Sequence, residues 1–324
     1  MSAFFIPMLT YSDLFSQYTR NIGQDGTSNS TLIADFNTAL GNRYQMVLAK
    51  MHDYMTQKTV TSSTVATQQY YHYPQGLVNI EGCYVTIGQV KYPMSVVNSQ
   101  YQWDWLNSLV VQPTAIPQFI FPRKVDFGIY PIPQSVYTIT FNYHYRDRNM
   151  TVADYTTGSV TMTQGSQTVT GSGTAFTSAM INRMFIVTDT TNGGQGFGYR
   201  ITGVTSGTEL TIETGYEGDT QASLTYKIGQ VPDFPEEGHI ILVDGATADF
   251  YSGVRHDITT ATWFNNKFFT GDGQNNSRKM GDSTITGGLI GLCNQYTDRN
   301  LEHIIDRNKK VHTFLDQNWS VNLS

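Results

Sequence analysis

The chain has 324 residues, more than one hydrophobic core ordinarily organises, which points to two domains or to one domain carrying a large insertion. Lys and Arg number 20 against 26 Asp and Glu, a formal charge of -6 that argues against a protein gripping nucleic acid through a basic face. Charged residues make up 14% of the chain, below the roughly 25% of ordinary soluble domains, while 20 Tyr, 17 Phe and 29 Gly are present; surfaces buried against other proteins are rich in Tyr and poor in Lys and Glu.

At the N-terminus, Leu14, Phe15 and Tyr18 stand at helical spacing within Tyr11 to Tyr18, and Gly23 to Ser28 reads as a loop. From Ser30 to Met55 the apolar residues Leu32, Ile33, Phe36, Leu40, Tyr44, Val47, Leu48, Met51 and Met55 keep the period of an amphipathic helix, with Ser30 or Asn29 as its cap. The period then changes. Thr64 to Tyr73, Cys83 to Ile87 and Val136 to Tyr145 are rich in β-branched and aromatic residues in alternation, and the prolines at 74, 93, 113, 117, 122, 131 and 133 are expected to bound these strands. Between them, Tyr101-Gln-Trp-Asp-Trp-Leu-Asn suits a short helix lying on the sheet.

From Asp154 to about Gly229 the vocabulary is Thr, Ser and Gly. Short alternating runs at Ser159 to Thr163, Gln167 to Thr170, Met184 to Thr188, Tyr199 to Val204, Glu209 to Ile212 and Leu224 to Ile228 predict an inserted barrel or sandwich of six or seven strands. Pro235-Glu-Glu then opens a helix whose stripe is Ile240, Val243, Thr247, Phe250, Tyr251 and Val254. A further helix holds Ala261, Phe264 and Phe268, Gly271 to Gly291 is expected to be extended, and Leu301, Ile304, Ile305 and Asn308 predict a last short helix before a polar tail. The expected fold class is therefore α+β: a helical bundle of the long N-terminal helix and the C-terminal helices, interrupted by a β unit and by an inserted all-β domain at 155–230. The discontinuous core comprises 1–154 and 231–324.

The chemistry-bearing residues are sparse. Gly281-Asp282-Ser283 matches the nucleophile block of a family of serine esterases, but it lies late in a Gly-rich loop, and Asp298 to His303 has the wrong spacing for the partner pair. His52, His72, His144, His239, His256, His303 and His312 form no ligand pair, and Arg255-His256-Asp257 reads as the solvated end of a helix. The oxygen-rich loops at Asp189 and Asp272 lack the bidentate acid of a calcium loop, and Gly193 to Gly198 reads as a hairpin loop with no phosphate role. Cys83 and Cys293 are far apart and read as two free thiols. No catalytic residue, cofactor or metal site is expected, and neither the first ten residues nor the longest aliphatic run, Ile240 to Val243, reads as a secretory signal or membrane span.

The segment Asp126-Phe-Gly-Ile-Tyr-Pro-Ile-Pro-Gln-Ser-Val-Tyr-Thr-Ile-Thr-Phe-Asn-Tyr resembles a segment of tailed-bacteriophage head-to-tail adaptor proteins, in which Gly, Pro and Pro precede a Tyr-x-Ile-x-Phe-x-Tyr strand. Tyr70-Tyr-His-Tyr-Pro, Ile87-Gly-Gln-Val-Lys-Tyr-Pro-Met and Tyr101-Gln-Trp-Asp-Trp-Leu-Asn follow the same order upstream, and Phe234-Pro-Glu-Glu-Gly-His with Ala246-Thr-Ala-Asp-Phe-Tyr downstream. The resemblance covers about half of the chain and departs from it at about 155–230, whose Thr/Gly-rich β pattern is similar to the small β modules that decorate phage structural proteins and that also occur on tail and baseplate parts.

That resemblance implies a virion protein made in the host cytoplasm. It would form a twelve-fold ring at the head–tail interface, bind the portal protein and the tail nozzle, and pass DNA through its lumen as cargo. On this reading the channel is lined by acidic or neutral side chains. Phe314, Leu315 and Trp319, isolated apolar residues on a polar tail, are the candidate portal-binding residues. The rival expectation is a tail or baseplate protein that binds a receptor or carbohydrate, with Trp103, Trp105, Trp263 and Trp319 as candidate stacking platforms.

Overall fold

The computed structural model describes residues 8–24, 29–50, 57–74, 76–108, 114–189, 197–271, 278–280, 283–285 and 288–293. Two compact units emerge, one of Met51–Arg148 and one of Met1–Lys50 with Asn149–Ser324.

Helix α1 spans Tyr11–Ile22 and opens on a capping box, in which the Asp13 N–H donates to Thr10 and the Thr10 N–H donates to the Asp13 carboxylate. Gly23, with φ 65, closes it in the left-handed conformation. Tyr11, Leu14, Tyr18 and Ile22, three and four residues apart, form its buried face. Helix α2 spans Ser30–Leu48, with Asn29 rather than Ser30 as the cap that accepts the Leu32 N–H; Met51 and Met55 of the expected run lie outside the described residues. Leu32, Phe36, Leu40, Tyr44 and Val47 are its buried stripe, and the Tyr18 and Phe36 ring centroids lie 4.8 Å apart between the two helices.

The unit Met51–Arg148 is built from β1 (Gln57–Ser63), β2 (Tyr70–His72), β3 (Leu77–Ile87), β4 (Val90–Val96), helix α3 (Gln100–Asn107), β5 (Thr114–Ala115), β6 (Phe119–Pro122), β7 (Asp126–Tyr130), β8 (Ile132–Pro133) and β9 (Thr138–Tyr145). Seven strands form one sheet in the order β1-β9-β3-β4-β6-β7-β2, and β5 pairs with β8 apart from it. The sheet core gathers Val85, Ile120, Ile129, Ile139 and Phe141. The strand expected at Thr64 to Tyr73 is broken. The Thr64 hydroxyl bonds the backbone of Ser135 and Tyr137, Thr67 takes φ 66, and only Tyr70–His72 joins the sheet. Pro93 likewise lies inside β4 instead of bounding it; β6 pairs with β4 only at Ser95 and Val96, so the missing N–H costs no bond to that neighbour.

A second seven-stranded sheet follows, from β10 (Ser159–Met162), β11 (Thr168–Ser172), β12 (Met184–Val187), β13 (Gly198–Ser206), β14 (Glu209–Ile212), β15 (Gln221–Leu224) and β16 (Tyr226–Gly229), in the order β15-β10-β11-β14-β13-β12-β16. Alternate residues such as Val160 and Met162, or Leu210 and Ile212, point into a core shared with Val169, Phe185 and Ile228. Gly158, at φ 81, holds the turn before β10, where a Cβ would stand 2.5 Å from the Ser172 carbonyl oxygen.

The chain then enters a 3-10 turn at Glu236–Gly238 and helix α4 (His239–Gly253), followed by α5 (Ile258–Thr270). The stripe expected on α4 is only part of its buried surface. Every residue from Ile241 to Ala248 is buried, because α4 packs against α1, α2 and α5 together, while the stripe's ends Ile240 and Val254 are 41% and 53% exposed. Within the stretch expected to be extended, β17 (Arg278–Met280) pairs antiparallel with β18 (Ser283–Ile285), and a helical segment covers 288–293. The last helix expected around Leu301 to Asn308 lies outside the described residues.

The expected fold class is thus overturned. The protein is mixed α/β with two curled, half-barrel sheets and helices beside them, not a helical bundle interrupted by β excursions. Each sheet closes a hydrophobic cluster of its own, so the strands are principal layers and not appendages of the helices.

Candidate interaction surface

Helix α3 presents the most aromatic exposed face among the described residues of the unit Met51–Arg148. Its eight residues begin after Ser99, whose side chain makes no capping bond, so tertiary contacts hold the helix. Trp103 supplies them. It is buried, stacks on Phe121 at 5.0 Å between centroids, and meets the edge of Tyr70 at 6.4 Å. Gly128 makes room for it, since a Cβ there would lie 2.5 Å from the indole. With Trp103 turned inward, Tyr101 and Trp105, four residues apart, are left 79% and 59% exposed on another face of the helix.

Beside α3 runs an open groove of about 390 Å³. Its polar side chains hold one another: Gln69 donates to Asn107 at 2.7 Å, Gln100 donates to Asp104 at 2.7 Å, and Asn107 donates to the Trp103 carbonyl at 2.8 Å. Arg123 lies 4.9 Å from the Tyr70 ring centroid and 3.4 Å from Asp126. The groove is therefore a rigid polar rim beside an exposed Tyr–Trp pair, the anatomy of a protein contact surface. Of the two tryptophans named as candidate stacking platforms on this helix, Trp103 is buried and Trp105 exposed; the i, i+4 spacing of Tyr101 and Trp105 is the sign in the sequence that these two share a face which Trp103 does not.

The other residues singled out in the sequence serve structure, or lie elsewhere. Phe314, Leu315 and Trp319 lie outside the described residues, as do His52, Asp298, His303 and His312. Ser283 pairs with Met280 in the β17–β18 ladder, and Gly281 and Asp282 lie outside the described residues. His239 is buried; its Nδ1 accepts the Leu9 N–H at 3.3 Å, and its Nε2 lies 2.9 Å from the Phe234 carbonyl oxygen, which fixes the neutral tautomer with the proton on Nε2. Asp257, read with His256 as the end of a helix, instead caps the next one, accepting the Thr260 N–H at 3.1 Å and the Thr260 hydroxyl at 2.6 Å; these bonds hold its carboxyl below the usual range.

Cys83 and Cys293 are free thiols, and burial pushes Cys83 up to about 12. Among the described residues no three His, Cys, Asp or Glu side chains gather as a metal site, and no helix is long and apolar enough to cross a membrane.

No curated protein matches the chain. Residues 9–164, from the start of α1 past β10 and including the α3 face, match the model of a protein family described as SU10 adaptor protein. That similarity supports a bacteriophage adaptor-type protein, a structural virion component that interacts with other components of the virion.

Proposed function

We propose that the chain is the head-to-tail adaptor of a tailed bacteriophage. It is a non-catalytic subunit whose copies close a twelve-fold ring between portal and tail nozzle, and DNA crosses the lumen only as cargo. The family match over residues 9–164 carries this reading, and the exposed Tyr101–Trp105 pair on α3 supports it, because a ring subunit must present anchors to neighbours that a monomer leaves in water. The segment 155–230 is then a module inserted into the adaptor core of 1–154 and 231–324, a role compatible with its own hydrophobic cluster. Phe314, Leu315 and Trp319 on the C-terminal segment are the proposed portal anchors, and deleting 310–324 should abolish portal binding.

Mass photometry of the purified protein, alone and mixed with portal protein, tests the reading. A free monomer that adds about twelve copies to a portal ring supports it; a free trimer indifferent to portal refutes it in favour of a receptor- or carbohydrate-binding tail protein. The double variant Tyr101→Ala, Trp105→Ala should lose the ring while melting within about 0.5 kcal/mol of the wild type, because both side chains are exposed.

A further inference from the structure

Where the second sheet meets the start of α1, two carboxyl groups, two hydroxyls and one ammonium share a polar cluster. Thr10 Oγ1 lies 2.9 Å from Asp13 Oδ2 and 2.5 Å from Asp154 Oδ2, so a single hydroxyl proton faces two carboxyl groups. Asp13 Oδ2 also accepts the Thr10 N–H at 3.0 Å and the ammonium of Lys227, which reaches it from β16. The Asp154 N–H donates to Ser12 Oγ at 2.9 Å. Among the described residues, the charged groups that face Asp154 are Asp13 on α1 and Lys227 on β16, one anion and one cation. The second oxygen of Asp154, Oδ1, is buried and accepts no hydrogen bond; Gly229 packs against it so closely that a Cβ there would stand 2.6 Å away.

Were both carboxyl groups ionised, Thr10 could donate to only one of them, a lone-pair contact of 2.5 Å would be left to the other, and an orphaned anionic oxygen would sit against Gly229. One proton on Asp154 removes all three problems. Asp154 Oδ2–H donates to Thr10 Oγ1, Thr10 Oγ1–H donates to Asp13 Oδ2, and Asp13 stays ionised against Lys227, so each close contact has one donor and one acceptor. The oxygen left without a partner is then a neutral carbonyl, and the ammonium balances the one remaining carboxylate.

We propose that Asp154 holds a proton in the closed junction and that the Asp154–Thr10–Asp13–Lys227 chain is a pH-dependent clasp between the 155–230 sheet and α1. Burial pushes the Asp154 carboxyl up, Asp13's charge adds to the rise, and the bonds from Thr10 and Ser12 with the Lys227 charge only partly offset it. The native state therefore keeps a proton that the unfolded chain releases. That stabilisation is full below the unfolded value of 3.8 and is lost as pH rises through the raised folded value. Asp13 runs the other way. Burial raises it but the bonds from Lys227 and Thr10 outweigh burial, so its contribution is lost as pH falls through a lowered value, and the clasp is tightest between the two.

The full-length chain labelled with 13C at the aspartate carboxyl carbons, its Asp154 resonance assigned through the backbone, gives the titration directly. The amide protection of Tyr11, whose N–H bonds Gln230 at 2.8 Å across the same junction, gives the consequence. Asp154 should titrate above the ordinary Asp range, and Tyr11 protection, corrected for intrinsic exchange, should fall several-fold from about pH 5 to about pH 8 in the wild type while staying flat in Asp154→Asn. An Asp154 inflection at or below the ordinary Asp value, or the same loss of protection in Asp154→Asn, would overturn the proposal. The carboxyl titration decides it without any variant.

Discussion

Replacing Arg43 by Ala should unfasten the helical layer of the unit that contains α2, α4 and α5. The Arg43 side chain, 11% exposed, bonds Asp249 on α4 through Nη2 at 2.5 Å and Nε at 3.0 Å, and Asn265 on α5 through Nη1 at 3.1 Å. Its guanidinium lies 4.8 Å from the Phe268 ring centroid, and its stem occupies the space left by Gly245, where a Cβ would come within 2.9 Å of Arg43. Removing one partner of a fully buried ion pair costs about 3–5 kcal/mol. Asp249 is 35% exposed and recovers part of its hydration, so its share is nearer 2 kcal/mol. The Asn265 bond adds about 1 kcal/mol and the ring contact about 0.5 kcal/mol. The sum, about 3.5 kcal/mol, corresponds to a fall of roughly 7–14 °C in Tm for a unit of this size. Urea denaturation of Arg43→Ala, Asp249→Ala and the double variant measures both the loss and the pair's coupling energy. A loss under about 0.5 kcal/mol, or a coupling energy near zero, would refute the clamp and make this an ordinary surface ion pair.

Three further outcomes follow from local geometry. Gly128→Ala should drive Trp103 out of its seat on Phe121, costing about 1–3 kcal/mol and shifting tryptophan emission, both readable in one fluorescence-monitored denaturation. Asn29→Ala removes the side chain that accepts the Leu32 N–H and should cost about 1 kcal/mol by the same assay, with Asn29→Ser recovering most of it. Native Cys83 should resist maleimide at about pH 8, because a buried thiol pushed up to about 12 is almost entirely un-ionised there; peptide mass spectrometry that found Cys83 labelled before unfolding would contradict its burial.

Periodicity and capping chemistry placed α1 and α2 and named Asn29 among their caps, because both signals are local: side chains three and four apart, and one polar oxygen within reach of the first free N–H groups. Strand alternation found β9 and most of β10–β16 for the same reason. What local signals could not weigh was how these elements divide the core. Read along the chain, the strands looked like excursions from a helical bundle; in space they join as two seven-stranded sheets, through pairings such as β1 with β9 that no neighbouring residues announce. The apparent stripe of α4 was a partial reading of a helix enclosed by three others, and the inward turn of Trp103, which leaves Tyr101 and Trp105 outside, was decided by the gap at Gly128.

The clasp at Asp154 is the clearest case. Thr10, Asp13, Asp154 and Lys227 are ordinary polar residues in the sequence, with Asp13 and Lys227 alone 214 positions apart. Only folding takes them out of water together, and burial with too few protons turns ordinary side chains into a coupled group. Helix periods, strand alternation, low charge and the adaptor-like segment are legible along the chain because each is local; the layers, the exposed aromatic pair and the buried polar cluster arise only on folding, because each depends on contacts between residues far apart in the chain.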